Sequence, residues 1–191
     1  MKVVAFNGSP RKGGNTAQLV QMVFEELEQE GIATELVEMA GAHPHGCIAC
    51  RQCFARKDRR CAVSGDPMNE WIAKMDEADG ILLASPTYFA DVTAEMKALI
   101  DRAGFVAMAN GYLFARKVGA PISAVRRAGA IHTLDSLNHF FLIGQMIIPG
   151  SSYWNIGYGR EAGDVQQDEE GKRTMHTLGK NMAWLLKKIA G

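Results

Sequence analysis

The chain opens with M-K-V-V-A-F-N-G-S-P-R-K-G-G-N-T (Met1–Thr16), and the reading of this stretch decides the fold. Lys2–Asn7 is a short apolar run that stops at a Gly-Ser-Pro turn, the pattern of a strand buried on both faces. Past the turn, Leu19, Val20, Val23, Phe24 and Leu27 recur at helical spacing within Asn15–Gln29, and Gly31 ends that helix. A buried strand, a glycine-bearing turn and an amphipathic helix in direct succession form the first half of a crossover on a parallel sheet.

The same alternation continues. Ala33–Met39 reads as a second strand, and Ala40–Gly65 as a long loop rich in Gly, Cys and His. Loops of that length inside compact domains are usually functional. Asp66 is placed to cap a helix from Pro67 to about Glu77. Gly80–Ser85 (G-I-L-L-A-S) is the clearest buried strand. Val92, Met96, Leu99, Ile100 and Ala103 then mark a helix, and Val118–Val125 is a fourth strand. Ile131–Met146 reads as helix, Ile147–Pro149 as a short fifth strand, and Ser151–Gly171 as a polar loop. A final amphipathic helix carries Met175, Leu178, Met182, Leu185, Leu186 and Ile189. Five such strands suit one α/β domain over residues 1–191, a doubly wound parallel sheet of order 2-1-3-4-5 with a Cys-rich insertion at 40–65. Ligands of such sheets bind beyond the carboxyl ends of the strands, so Gly8–Asn15, Pro86–Asp91 and Arg126–Ala130 should converge.

The first of these loops is built for an anion. Gly8 and Gly13 have the spacing of a Walker A loop, but Gly14 and Asn15 stand where Lys and Ser/Thr belong, and G-x-G-x-x-G is missing. What remains is a helix N-terminus with hydroxyls from Ser9 and Thr16, an amide from Asn15 and the Arg11 guanidinium. A terminal phosphomonoester fits this set better than a bridging pyrophosphate. The competing reading makes Asn15 or Thr16 an ordinary helix cap.

Composition excludes other classes. The 191 residues carry 21 basic and 21 acidic side chains with no basic stripe, which argues against nucleic acid as a partner. No apolar run reaches the roughly 18 residues of a membrane span, and no signal-peptide pattern is present, so a cytoplasmic location is expected. His43, His45, His132, His139 and His176 show neither metal nor triad spacing, and solvated or capping roles are expected of them.

The stretches G-S-P-R-K-G-G-N-T (Gly8–Thr16) and S-P-T-Y-F-A-D-V-T-A-E-M-K-A-L-I-D-R (Ser85–Arg102) together resemble the NADPH-dependent FMN reductase group of the flavodoxin superfamily, and within it the iron–sulfur flavoproteins. The resemblance spans about residues 1–150. It implies a flavodoxin-like fold, FMN as cofactor and NAD(P)H as electron donor. Ser9, Arg11, Asn15 and Thr16 would hold the FMN phosphate, and Pro86, Thr87, Tyr88 and Phe89 would line the isoalloxazine. Arg126, Arg127 and Gly129 would meet the flavin pyrimidine edge or the phosphates of NADPH. No catalytic acid, base or nucleophile is required, because the cofactor carries the redox chemistry.

Cys47, Cys50, Cys53 and Cys61 read C-x2-C-x2-C-x7-C. Four thiols so close together suit a [4Fe–4S] cluster, a tetrahedral zinc, or reduced cysteines without metal. The last gap is longer than the family pattern, and Ala62 follows where the ferredoxin run has proline. Arg51, Arg56, Lys57, Arg59 and Arg60 would lower thiol pKa values and offset a ligated cluster's charge. The expected function is transfer of electrons from NAD(P)H or a reduced carrier to a small-molecule or protein acceptor. The alternatives are a redox carrier or sensor without turnover, and a zinc-stabilised binding module. By resemblance the cysteine loop lies near a neighbouring subunit's flavin, and Phe105–Phe114 and Tyr153–Tyr158 would supply a homodimer or homotetramer interface.

Overall fold

A computed structural model describes residues 1–189. Strands β1 (Lys2–Asn7), β2 (Ala33–Glu38), β3 (Gly80–Pro86), β4 (Val118–Val125) and β5 (Ile156–Tyr158) form one parallel sheet in the order β2-β1-β3-β4-β5. The expected strand order is the observed one. The helices are α1 (Asn15–Gln29), α2 (Gln52–Arg56), α3 (Met68–Glu77), α4 (Ala94–Ala109), α5 (Ala130–Ile143) and α6 (Glu169–Ile189). Among the described residues no helix is long and apolar enough to cross a membrane.

Period-two alternation explains why apolar strand runs need helices on both faces. Val3, Ala5, Leu82, Ala84 and Ile122 point into a core closed by Leu19, Val23 and Leu27 of α1 and Leu178, Met182 and Leu186 of α6. Val4, Phe6, Ile81 and Leu83 point the other way, against Ile72 and Met75 of α3, Leu99 of α4 and Phe141 of α5. A fully buried aliphatic side chain of this kind contributes about 1.5–3 kcal/mol. At the carboxyl edge, Gly8 lets β1 meet the start of α4: a Cβ there would lie 2.8 Å from Thr93 Oγ1.

The fifth strand is not where the sequence placed it. Ile147 makes only an isolated parallel bridge to Val118, donating to Lys117 O at 3.0 Å and accepting from Gly119 N at 2.9 Å. The chain then leaves the sheet and returns as Ile156–Tyr158 beside Ser123–Val125. Pro121 is the physical reason. It falls between Gly119 and Ser123, whose amides both point to this edge, and it has no N–H to offer a continuous neighbour. Its carbonyl is satisfied instead by the side chain of Asn155, Nδ2 donating at 2.9 Å. Ser151–Gly171 therefore holds a strand and a 3-10 turn, Asp164–Gln167, rather than loop alone. The helix expected to reach Met146 stops at Ile143. Gly144 follows it, and Gln145 turns the chain at φ +59°. Phe114, expected at the surface, is 1% exposed in the core.

Candidate functional site

The crevice between the carboxyl ends of β1 and β3 is lined by Ser9, Arg11, Gly14, Asn15 and Thr16 on one side and by Pro86, Thr87 and Tyr88 on the other. Ala124 and Arg126 close the third side. The phosphate loop is held from behind by carboxylate and amide. Asn7 Oδ1 accepts from Ser9 N (3.0 Å), Asn7 Nδ2 donates to Glu38 Oε2 (2.7 Å), and Gly13 N donates to Glu38 Oε1 (3.0 Å).

The cap residue of α1 is Gly14, and no side chain caps that helix. Its first internal bond runs from Gln18 N to Gly14 O, so the N–H groups of Asn15, Thr16 and Ala17 have no partner among the described residues. The reading of Asn15 or Thr16 as the helix cap is thereby excluded. Three unpartnered N–H groups carrying the positive end of the helix dipole, beside the buried Ser9 and Thr16 side chains, form an anion cradle. The Asn15 amide does something else: Nδ2 donates to Glu161 O and Oδ1 accepts from Gly163 N, both at 2.8 Å. Asn15 thus offers the cleft its main-chain N–H, while its side chain ties α1 to the segment after β5.

That segment is the part of the site the sequence reading missed. Gly159, Arg160 and Ala162 line the cleft. Gly159 N donates to Val125 O at 2.9 Å, prolonging the ladder past β5. The Arg160 and Glu161 amides donate to Asp164 Oδ2 at 2.9 and 2.8 Å, and these bonds hold the Asp164 carboxyl below its usual range. Arg160 O accepts from Arg11 Nη1 at 3.5 Å. The rule that placed the other loops would have found this one, had the fifth strand been set at Ile156–Tyr158.

The loop after β3 is tightly wound. Tyr88 and Asp91 exchange main-chain bonds of 2.9 and 3.1 Å across Phe89 and Ala90, whose φ values are +48° and +62°. Turns of this type normally use Asn-Gly, and a left-handed non-glycine residue costs on the order of 1–2 kcal/mol. Tyr88 lines the cleft, but Phe89 projects fully into solvent and does not. The Thr87 hydroxyl lies 3.0 Å from Ser123 Oγ and 3.1 Å from Thr133 Oγ1, which pins the loop to β4 and α5. Gly129 sits behind the loop at φ +91°, where a Cβ would be 3.3 Å from Ala90 and Thr87, and Arg127 also stands off the lining.

The four cysteines share a second pocket, with Ile48, Ala62, Val63, Phe105 and Val106 as its apolar wall. The seven residues between Cys53 and Cys61 wind back through α2 and left-handed turns at Lys57 and Arg59, so the long last gap still returns Cys61 to its partners. Burial pushes the Cys53 thiol up. A tetrahedral zinc, with Zn–S about 2.3 Å, needs thiolates roughly 4 Å apart. Among the described residues no three His, Cys, Asp or Glu side chains converge closely enough to hold one ion. The missed residue here is Arg102, buried under the pocket with Nε 3.3 Å from Cys61 Sγ. Its only sequence signal was a charge amid the apolar spacing of α4.

The family model for NADPH-dependent FMN reductases matches residues 1–161. The chain is 37% identical over 196 residues to an iron-sulfur flavoprotein of Methanocaldococcus jannaschii, covering 99% of each. It is 31% identical over 193 residues to one of Methanosarcina thermophila, covering 99% of this chain and 97% of the relative. A WrbA-like flavodoxin from Agrobacterium tumefaciens superposes with a TM-score of 0.67 at 16% identity, over 98% of this chain and 97% of that one. The chain belongs to the NADPH-dependent FMN reductase family. It is an FMN-dependent oxidoreductase with a flavodoxin-like sheet.

Proposed function

We propose that this oxidoreductase takes electrons from NAD(P)H or a reduced carrier and passes them to a small-molecule or protein acceptor, with a [4Fe–4S] centre on Cys47, Cys50, Cys53 and Cys61. The observation that carries this is the coexistence of two sites of different chemistry: a cationic cleft with an uncapped helix N-terminus, and an apolar pocket bearing four thiols. Ser9, Thr16, Arg11 and the first amides of α1 bind the FMN phosphate. Tyr88 and Pro86 pack against the ring system. Arg126 and Arg160, at the open rim, attract the phosphates of a pyridine nucleotide. FMN held there would supply the hydride and one-electron chemistry, and the protein's part is placement and exclusion of water.

The two sites share no lining residue, and exposed Phe105, Tyr153, Trp154 and Tyr158 suit a contact between copies. We therefore propose a homodimer or homotetramer in which one copy's cysteine pocket faces another copy's cleft. Anaerobically purified protein should show flavin bands together with broad iron–sulfur absorption, and should bleach with NADPH. Flavin and iron with bleaching only by a one-electron reductant would replace the NAD(P)H-dependent reading with a carrier. Flavin alone would remove the cluster, and a one-subunit mass in light scattering would remove the assembly.

A further inference from the structure

The most deeply buried charge pair in the described chain lies under the cysteine pocket, not in the cofactor cleft. Arg102 on α4 is 1% exposed, and the side chain of its partner Asp66 is 2% exposed. Nη1 donates to the Asp66 carboxylate and to His45 O (3.1 Å), and Nη2 donates to Val63 O (2.8 Å). The Nε–H points at the Cys61 sulfur at 3.3 Å. One guanidinium thus grips four places along residues 45–66.

Stability alone is a poor reason for this arrangement, since a buried ion pair gains little over apolar packing of the same volume. What apolar packing lacks is a directed donor to sulfur. Cys61 is also held at its main chain: its N–H donates to Asn69 Oδ1 (2.7 Å), and Asn69 Nδ2 donates to Cys61 O (3.0 Å). Cys47 and Cys50, by contrast, are exposed on the loop. Helices α3 and α4 therefore fix one sulfur of the set firmly.

We propose that Arg102 is a positioning residue for the four-cysteine centre, its Nε–H bond to the Cys61 sulfur making a cluster bound there easier to reduce. This rests on the [4Fe–4S] reading above. One-electron reduction adds one negative charge, shared over iron and the thiolate sulfurs; no bond forms or breaks and no proton moves. A donor already aimed at one of those sulfurs stabilises the added charge, and hydrogen bonds to sulfur are among the determinants of cluster potential. Asp66 cancels most of the long-range charge of Arg102, so the effect is carried by the local N–H···S bond.

The test is an EPR-monitored dithionite titration of the holoprotein as wild type, as Arg102→Lys, and as the paired Arg102→Met/Asp66→Leu. Lysine keeps a cation beside Asp66 but cannot span the carboxylate, two carbonyls and the sulfur at once. The paired change leaves no orphaned charge and keeps a folded protein available should the lysine variant fail. FMN content reports whether the cleft of the same chain has folded, because within one chain the cleft shares no lining residue with the pocket. The expected result is a cluster midpoint shifted to more negative potential in the variants, with iron, FMN content and flavin potential retained. A cluster midpoint unchanged while iron is retained would overturn the proposal and leave Arg102 a mere clamp for the loop. Wild-type protein with full FMN and no iron would instead overturn the cluster reading, and this assignment with it.

Discussion

Arg11 carries a charge that no carboxylate neutralises within salt-bridge distance among the described residues, and its guanidinium closes the anion cradle. A charge-assisted hydrogen bond is worth about 1.5–3 kcal/mol, so Arg11→Ala should weaken FMN binding roughly 10- to 150-fold in a fluorescence titration. An unchanged Kd would place the phosphate elsewhere. Thr16 was legible in the sequence as a hydroxyl at a helix start, and its place in the cleft follows from that. Asn15 was legible only in part, because the use of its side chain depends on residues near position 161 that no local pattern could connect to it. Phe89 shows the same limit: S-P-T-Y-F predicts two aromatics at the cleft, but the tight turn sends them to different sides.

At the scale of elements, α4 starts where the turn after β1 meets the end of β3. Thr93 Oγ1 accepts from Met96 N (3.3 Å) and donates to Gly8 O (2.9 Å), while Thr93 N donates to Ser85 Oγ (3.0 Å). Loss of such a cap costs about 0.5–2 kcal/mol, and Thr93→Ala should lower stability by that amount in urea unfolding. FMN affinity should fall as well, because the Gly8 carbonyl is released next to the phosphate loop. The split edge strand makes a second prediction. Asn155 is 8% exposed, with Nδ2 on Pro121 O and Oδ1 accepting from Ser151 Oγ (2.6 Å). Asn155→Ala leaves a buried carbonyl without a donor and should destabilise by about 1–3 kcal/mol, measured the same way. An apolar run at Ile147–Pro149 looked like a strand because hydrophobic pattern cannot report which edge amides a proline upstream has removed.

For the whole molecule, the ion pair joining α4 to the cysteine segment sets an acid limit. Burial pushes the Asp66 carboxyl up, but the Arg102 guanidinium and the His45 and Met68 amides outweigh it, holding it below its ordinary value of 3.8. A carboxylate with a lowered folded-state value adds stability that is complete above the unfolded value and lost as pH falls through the folded one. Asp66→Asn leaves a buried guanidinium uncompensated and should cost about 3–5 kcal/mol at pH 7. That difference from wild type should hold down to about pH 4 and shrink below it. A difference independent of pH down to 3 would mean that the carboxylate charge plays no part.

The sequence by itself determined the first four strands, the glycine-bearing turn before α1 and, through the motifs at Gly8–Thr16 and Ser85–Arg102, the family and the strand order that goes with it, because each strand, turn and motif is a pattern local to one element or one loop. Buried strands, amphipathic helices and a helix N-terminus after glycines need no distant partner to be recognised. Only the tertiary structure decided where the fifth strand runs, that residues 159–163 complete the cleft, that Cys61 returns to the other thiols, and that Arg102 lies beneath them. Those features bring together residues that are not neighbours along the chain, most of them tens of positions apart. Their energy comes from directed hydrogen bonds whose partners are chosen by the packing of layers, which leaves no periodic trace along the chain.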